Sequence, residues 1–339
     1  MTRFRRAPAA FALIGLMGAA ALAGCTSSSS GTPTTSAPAP PSSGAAPAPL
    51  PKVNPLTGGK PSRNPVIAVK IEDTALGRPQ VGTNKADIVY VEQVEGGLTR
   101  LMAIFDTTLP NVEPVRSVRP SDPELALQYG HIIFVASGGS HAGIAPLEKS
   151  PLKKVIGDQG GSEFSRDPNR QAPENLVVNL KQVAKKVKGP TAKSIGLAWS
   201  DKKPSGKTKP GKLIQTRVGG TDVTFRWNSK THRYMRIIDG AIQHTADGSV
   251  IDTPNVIVQF CKVTVYKKDR DVLGNPAQYT HTVGTGRAVV YRNGKRIDGT
   301  WSRKNVNSGT ILKSKDGKTI ALSPGGAWFV LAAENAPLK

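Results

Sequence analysis

Four apolar runs in the first half of the chain decide the fold class: VIAV at 66–69, IVYV at 88–91, LMAIF at 101–105 and IIFV at 132–135. None of these runs alternates strictly between apolar and polar side chains. A strand with one face in water alternates, whereas a strand covered on both faces is apolar throughout. We therefore predict a sheet whose two faces are both covered.

Two helices are predicted to cover this sheet. Residues 121–124 (SDPE) combine a capping residue, a proline in the first turn and an early acid, and Gly130 ends the segment. A second helix is predicted over about 174–188, where apolar residues recur on one stripe before the Gly-Pro pair at 189–190. The N-terminal domain, residues 63–200, is therefore expected to be α/β or α+β, with a mixed sheet and covering helices.

Residues 212–335 show a different pattern. Asp-Gly or Asn-Gly pairs begin at 239, 247, 293 and 316 and separate short strand-like segments, which is typical of hairpins. We predict a mostly antiparallel β domain there, with 256–266 as its central strand and Cys261 buried within that strand. Between the two domains, residues 201–211 (DKKPSGKTKPG) have no apolar side chain except two prolines, which indicates a linker.

The amino terminus carries a processing signal. Three arginines within the first six residues precede an uncharged run over 7–24, the pattern of a secretory signal peptide that is too short to span a membrane. The run ends in LAGC at 22–25, which looks like a bacterial lipobox. We predict that residues 1–24 are a lipoprotein signal peptide and that Cys25 carries diacylglycerol and a further acyl chain such as palmitate. An ordinary cleaved signal with an incidental cysteine is the alternative.

The residues after Cys25 have the composition of a tether. From 26 to 51 the chain is almost entirely Ser, Thr, Gly, Ala and Pro without charge, so it cannot bury a core. Residues 25–62 are therefore predicted to be a lipidated, disordered tether. Acyl chains contribute about 0.8 kcal/mol per buried methylene, and two chains anchor a protein stably. We expect the protein at the extracytoplasmic face of the cell membrane.

The net charge indicates anionic partners. The chain has 46 Lys and Arg against 24 Asp and Glu, a formal charge of +22. Export separates the protein from the chromosome, so nucleic acid is not an expected partner. Anionic envelope polymers, lipid headgroups or a protein partner are expected instead, and a merely solvated basic surface is the alternative. Two cysteines and five histidines without metal-ligand spacing predict no metal site, and no cofactor is expected.

Several blocks of sequence carry a family resemblance. They are NPLTG at 54–58, RPQ at 78–80, ADIVY at 86–90, EQVEGGLTR at 92–100, PVRSVRP at 114–120, GGS at 138–140, RDPNRQAPEN at 166–175, NVIVQ at 255–259, GTG at 284–286, GTW at 299–301 and PGGAW at 324–328. In these blocks the chain resembles the YerB-type lipoproteins of Gram-positive bacteria, which are defined by a domain of unknown function with an N-terminal and a C-terminal part. The resemblance implies a membrane-anchored envelope protein and no settled activity. One position departs from the family pattern, because Glu174 stands where the family has histidine.

Arginines in these blocks suggest an anion site. Six of them lie in segments punctuated by Gly or Pro: Arg78, Arg100, Arg116, Arg119, Arg166 and Arg170. Converging guanidinium groups hold a carboxylate or phosphate bidentately. We interpret them, together with Glu92, Glu95 and Asp167, as a ligand-binding site. The alternative is that each arginine pairs with a nearby acid and fixes loops.

A serine in the first domain offers a second hypothesis. SGGSHAG at 137–143 follows an apolar strand and precedes a predicted helix, as a nucleophile elbow does. Ser140 as nucleophile with His141 as base would make the protein a hydrolase or acyltransferase acting on envelope material. Ser140 is otherwise a helix cap. A non-enzymatic binding module is therefore the first hypothesis and the serine-dependent enzyme the alternative.

Overall fold

The computed structural model describes residues 51–204 and 206–339, so the predicted signal peptide, Cys25 and most of the predicted tether lie outside the described residues. The first part of the described chain contains β1 (Ile67–Glu72), β2 (Ile88–Gln93), β3 (Thr99–Phe105), β4 (Asn111–Val112), α1 (Asp122–Ala126), β5 (Ile133–Ala136), α2 (His141–Lys149), β6 (Lys153–Ile156), β7 (Phe164–Arg166), β8 (Leu176–Asn179), α3 (Leu180–Lys186) and β9 (Ala198–Trp199).

The second part of the described chain consists of strands. They are β10 (Lys209–Pro210), β11 (Leu213–Val218), β12 (Thr221–Asn228), β13 (Arg233–Ile238), β14 (Ala241–Ile242), β15 (Asp252–Thr253), β16 (Asn255–Cys261), β17 (Val263–Arg270), β18 (Pro276–Thr280), β19 (Gly284–Arg292), β20 (Lys295–Arg303), β21 (Ile311–Ser314), β22 (Ala321–Leu322) and β23 (Ala327–Ala333). The Asn293-Gly294 pair joins β19 to β20 in a tight hairpin, as its sequence predicts, with positive φ at both residues.

One mixed sheet of eleven strands forms the centre of the fold. Its order is β10-β20-β19-β16-β23-β2-β3-β1-β5-β6, with β21 beside β20. Strand β23 is parallel to both of its neighbours, β16 and β2, while β1 and β5 are also parallel. A separate antiparallel sheet contains β11 to β15. The predictions of a mixed sheet and of antiparallel strands towards the C-terminus are confirmed.

The large sheet is covered on both faces, as its uninterrupted apolar runs predict. On one face Tyr90 and Phe329 belong to the same core as Leu125 of α1 and Leu147 of α2. On the other face, side chains of β11 and β12 pack against β2, β16 and β23. Within the described residues, no helix is both long and apolar enough to cross a bilayer.

The two predicted domains share this sheet. The described residues form one compact unit, in which β23 from the second part lies directly beside β2 from the first. Most described residues of the predicted linker are exposed. Lys209-Pro210 within it forms β10, an edge strand beside β20. Both parts of the chain therefore contribute strands to one sheet, and the exposed polar stretch at 201–211 connects the two parts without dividing that sheet.

The predicted helix over 174–188 is only partly helical. Leu176–Asn179 is the strand β8, and α3 begins at Leu180, where the Asn179 side chain accepts a hydrogen bond from the backbone of Gln182. Leu176 and Val178 are buried at strand spacing, and the helical stripe starts only after them. The other predicted helix begins as expected: α1 starts at Asp122, continues as a short 3-10 helix and ends before Gly130.

The folded body begins before residue 63, where the predicted tether was expected to end. The Asn54 side chain donates to Asp106 at 2.5 Å and accepts from the backbone amides of Leu56 and Thr57, and Leu56 is fully buried. Composition alone assigns this segment to the tether because its partner, Asp106, is distant in sequence. Asn54 onward therefore belongs to the folded part.

A buried ion pair joins the two parts of the chain. Arg236 of β13 donates through both terminal nitrogens to the two carboxylate oxygens of Asp73, each at 2.7 Å, and neither side chain is accessible to solvent. The Arg236 guanidinium also lies 5.1 Å from the ring centre of Trp328. This bidentate geometry fixes the second sheet over the end of β1.

We predict that Asp73→Asn lowers the free energy of unfolding by about 3–5 kcal/mol, because it leaves the Arg236 charge buried without a counter-ion. Urea denaturation measures this change. Asp222→Asn is the matched control: it removes the partner of Arg217 from an exposed cross-strand pair at 2.8 Å and should change stability little. A similar effect of both substitutions would contradict the structural role given to Asp73.

Candidate anion-binding site

The strand register gathers charged residues at one end of the large sheet. Arg100, near the start of β3, lies opposite Glu72 of β1 on one side and Glu92 of β2 on the other. Side chains two positions apart on a strand share a face, so Lys70 projects to the same side of the sheet. Four charges from three neighbouring strands therefore meet on one face.

Arg100, Arg116 and Arg119 form what we call the arginine cluster. Arg100 and Arg119 both donate to the carbonyl oxygen of Ser117, at 3.3 and 3.4 Å, which places their guanidinium groups side by side. Arg116 donates to Glu72 at 2.7 Å, and Arg119 donates to Glu95 at 2.7 Å. The structure thus brings together three of the six predicted arginines and predicted Glu95.

Charge compensation within the arginine cluster is incomplete. Glu72 bonds Arg116, and its carboxylate is 3.7 Å from Arg100 Nε, which has no hydrogen-bond partner among the described residues. Burial lowers the pKa of Arg100 to about 10, and repulsion by Arg119 and Arg116 adds to this effect. Burial alone would raise the pKa of Glu72, but Arg100 and Arg116 bring it below its usual value. Three cations share two closely bonded carboxylates.

A buried lysine lies beneath the arginine cluster. Lys70 Nζ is 3.1 Å from Glu92 and 2.9 Å from Asp122, and all three side chains are inaccessible. The second oxygen of Asp122 accepts from the backbone amide of Arg119, which connects this centre to the cluster. Burial raises the pKa of Glu92, and the nearby Asp122 charge adds to the rise. Lys70 was not among the predicted site residues, although a single lysine inside the apolar run IAVKIE indicates a buried charge.

The other three predicted arginines fix loops elsewhere. Arg78 donates to the carbonyl oxygens of Asp73 and Thr74, and Arg166 is exposed and donates to Asn175. Arg170 donates to two carbonyl oxygens of the loop after β1 and is 3.9 Å from Asp167. Glu174, the position that departs from the family pattern, approaches Arg116 at 3.9 Å.

Ser140 is the N-cap of α2. Its hydroxyl accepts from the backbone amide of Gly143 at 2.9 Å and donates to Asp269 of β17 at 2.5 Å. Among the described residues no histidine is hydrogen-bonded to Ser140. His141, the first residue of α2, is exposed. Asp269 is buried and places a carboxylate at the helix N-terminus, where a negative charge is favourable.

Two cavities of about 230 and 310 Å³ lie at the opposite end of the sheet and share Asp87, Thr107 and Gly325 in their walls. Asp87 accepts hydrogen bonds from the backbone of Asp106 and from the backbone and hydroxyl of Thr107. Burial raises the pKa of Asp87 to about 6, against these hydrogen bonds. This end has no group of converging arginines comparable to the arginine cluster in the described residues.

We predict that the free energy of unfolding of the Glu92→Gln variant increases with pH relative to that of the unsubstituted chain. A carboxyl whose pKa is raised by folding stabilises the fold at low pH, and this contribution is lost as pH rises through the folded-state pKa. Glutamine cannot ionise beside Asp122, so it avoids that loss. Urea denaturation at about pH 6 and about pH 9 measures the difference. A difference in the free energy of unfolding that stays constant, or that favours glutamate more as pH rises, would contradict the raised pKa of Glu92.

Comparison with known proteins identifies the family. The family described as "Protein of unknown function (DUF3048) N-terminal domain" matches residues 55–193, and its C-terminal domain matches residues 214–329. The Bacillus subtilis (strain 168) protein named "Putative lipoprotein YerB" is 29% identical over 296 residues, which is 81% of this chain and 84% of that protein. The crystal structure of the YerB protein from Bacillus subtilis has the same fold, with a TM-score of 0.72 at 24% identity over 85% of this chain and 99% of that chain. The family resemblance is therefore confirmed, and the chain belongs to the DUF3048 family.

Proposed function

We propose that this protein is a membrane-anchored envelope lipoprotein whose folded body binds an anionic group at the arginine cluster. The lipobox-like LAGC at 22–25 and the lipoprotein name of the Bacillus subtilis relative support the anchor. The body contributes binding and no covalent chemistry. Its ligand is a phosphate or carboxylate group of an envelope polymer or lipid headgroup.

The incomplete pairing of Arg100 is the observation that carries the proposal. Arg303 provides a comparison, because it is also buried and donates to four acceptors: Ser308, Thr282, Glu124 and Val306. Arg100 makes one hydrogen bond, to the Ser117 carbonyl, and has two arginines beside it. A buried charge without full compensation is costly, and an incoming anion would supply the missing acceptors.

Access to the arginine cluster is through Arg116 and Arg119. Their side chains keep 16% and 13% of their surface exposed, so an anion could reach them from solvent while Arg100 remains behind them. Their planar donors suit the oxygens of a phosphate or carboxylate. The strongly basic chain would also raise the local concentration of anions.

The serine-dependent alternative has less support. A nucleophilic serine needs a base within hydrogen-bond reach and an accessible hydroxyl. The Ser140 hydroxyl is engaged by Asp269 and by the backbone of Gly143, a cap arrangement that stabilises α2. Both contacts favour a structural role for this residue.

We predict that the Arg116→Lys, Arg119→Lys double variant binds inorganic phosphate at least about tenfold more weakly, because lysine keeps the charge and loses the planar fork. Calorimetry at low salt measures the affinity. The Arg116→Ala, Arg119→Ala variant should also lose binding and should be the less stable of the two. Arg78→Lys, Arg166→Lys is the matched control outside the cluster. Equal binding by the unsubstituted chain and all three variants would overturn the proposed site.

We predict that Cys25→Ser releases the protein from membranes and abolishes labelling by a fatty-acid probe, because it removes the acceptor of the lipid. Membrane fractionation and probe labelling in cells measure both effects. Cys261→Ala is the control. This substitution should leave labelling intact, because Cys261 is buried within β16. Membrane retention of the Cys25 variant without any label would count against lipidation at this residue.

A further inference from the structure

The hairpin of β17 and β18 carries the two most exposed large apolar side chains of the described residues. At its tip Val272 is 103% exposed and Leu273 is 83% exposed, relative to an extended reference. Within the described part of the chain, the two strands pair only with each other and belong to neither large sheet. The tip is therefore free of the protein's own core.

Hydrogen bonds in the turn and along the hairpin hold the tip in this exposed position. Asp271 accepts hydrogen bonds from the backbone amides of Leu273 and Asn275 and from the Asn275 side chain, all at 2.8 to 2.9 Å. Just before the turn, Asp269 accepts a hydrogen bond from Ser140, and at the base of the hairpin Tyr279 donates to Glu124 at 3.0 Å. An ordered turn on an anchored base presents both aliphatic side chains outward, where water contact is unfavourable.

The charges around the tip are basic. Lys267, Lys268 and Arg270 of this hairpin are all exposed. Its two acids, Asp269 and Asp271, are occupied by the hydrogen bonds to Ser140 and to the turn. Lysine and arginine side chains near a bilayer surface are attracted by anionic lipids. Aliphatic side chains between such residues are typical of elements that lie in the headgroup region.

Other exposed apolar residues lie at the same end of the sheet as the arginine cluster. Leu76 follows the end of β1, Leu98 precedes β3, and Val306 follows the end of β20. In contrast, Val53 adjoins the Asn54 contact with Asp106 at the end of β3, and Leu213 begins β11, both at the opposite end. One end of the molecule therefore combines apolar points with basic residues.

We propose that the β17–β18 hairpin is a membrane-contacting element whose tip, Val272-Leu273, inserts into the surface of an anionic bilayer. A convex tip of two side chains offers far less area than the roughly 800 Å² per partner of a stable protein interface. It can, however, enter a headgroup layer, with the flanking basic residues facing the phosphates. This contact is independent of the lipid on Cys25 and of the anion site. If the arginine cluster also binds anions, as proposed above, the hairpin would hold that cluster near lipid-borne phosphate.

The test uses the chain without residues 1–24 and with Cys25→Ser, so that no acyl chain contributes. Vesicles contain phosphatidylcholine alone or an equal mixture with phosphatidylglycerol, and co-sedimentation measures the bound fraction. We expect the unsubstituted chain to bind the mixed vesicles, with an affinity that falls as salt is added. The Val272→Ser, Leu273→Ser variant should bind them at least about tenfold more weakly, because it lacks the two aliphatic side chains that would enter the bilayer surface. Melting temperature and phosphate affinity of this variant should be unchanged.

The matched control is Val53→Ser, Leu213→Ser, which removes one valine and one leucine of about half exposure, 51% and 49%, from the opposite end. It should bind vesicles as the unsubstituted chain does. Phosphate affinity of the Val272→Ser, Leu273→Ser variant, measured in parallel, separates the hairpin from the anion site. Absence of binding to mixed vesicles at low salt, or equal binding by the hairpin variant, would overturn the proposal. Equal losses in the hairpin variant and the control would overturn it as well.

Discussion

The pairing of β23 on both of its edges is the constraint on which the rest of the structure depends. Ala327–Ala333 hydrogen-bonds in parallel to β16 on one side and to β2 on the other. Without this strand, β2 and β16 would each present an open edge, and the first and second parts of the chain would have separate sheets. Contacts such as Asp73–Arg236 are possible only because β23 sets the distance between the two parts.

Several buried charges lie where the two parts meet, and each one needs partners from distant segments. Arg236 depends on Asp73, and Arg303 depends on the carbonyl of Glu124, whose carboxylate in turn accepts from the backbone of Thr282 and Val283. Removing a charge from water is expensive, so such groups persist only when the fold supplies acceptors. Arg100, which makes a single hydrogen bond, is therefore an exception beside Arg236 and Arg303.

Local sequence predicted the elements whose information is local. The apolar runs became strands buried on both faces, and Asn293-Gly294 became a hairpin turn because both residues accept positive φ. The union of the two parts could not be predicted, since the partners of a parallel strand are set by tertiary structure and leave no spacing in the sequence. The same reason applies to Asn54, whose partner Asp106 lies 52 residues away, and to Lys70, whose counter-ions come from β2 and α1.

All three arginines of the cluster were among the predicted site residues, whereas Glu72 and Lys70 were not. The arginines at 116 and 119 flank one short Pro-bounded segment, so their proximity is local, whereas Arg100 joins them only through strand register. An internal carboxylate already occupies another favourable position at this end of the sheet, because Asp269 accepts from the Ser140 cap at the N-terminus of α2. An external anion would have to displace Asp269 there. Beside Arg100 it would add hydrogen bonds without breaking any, which is why the arginine cluster is the position where ligand binding costs the fold least.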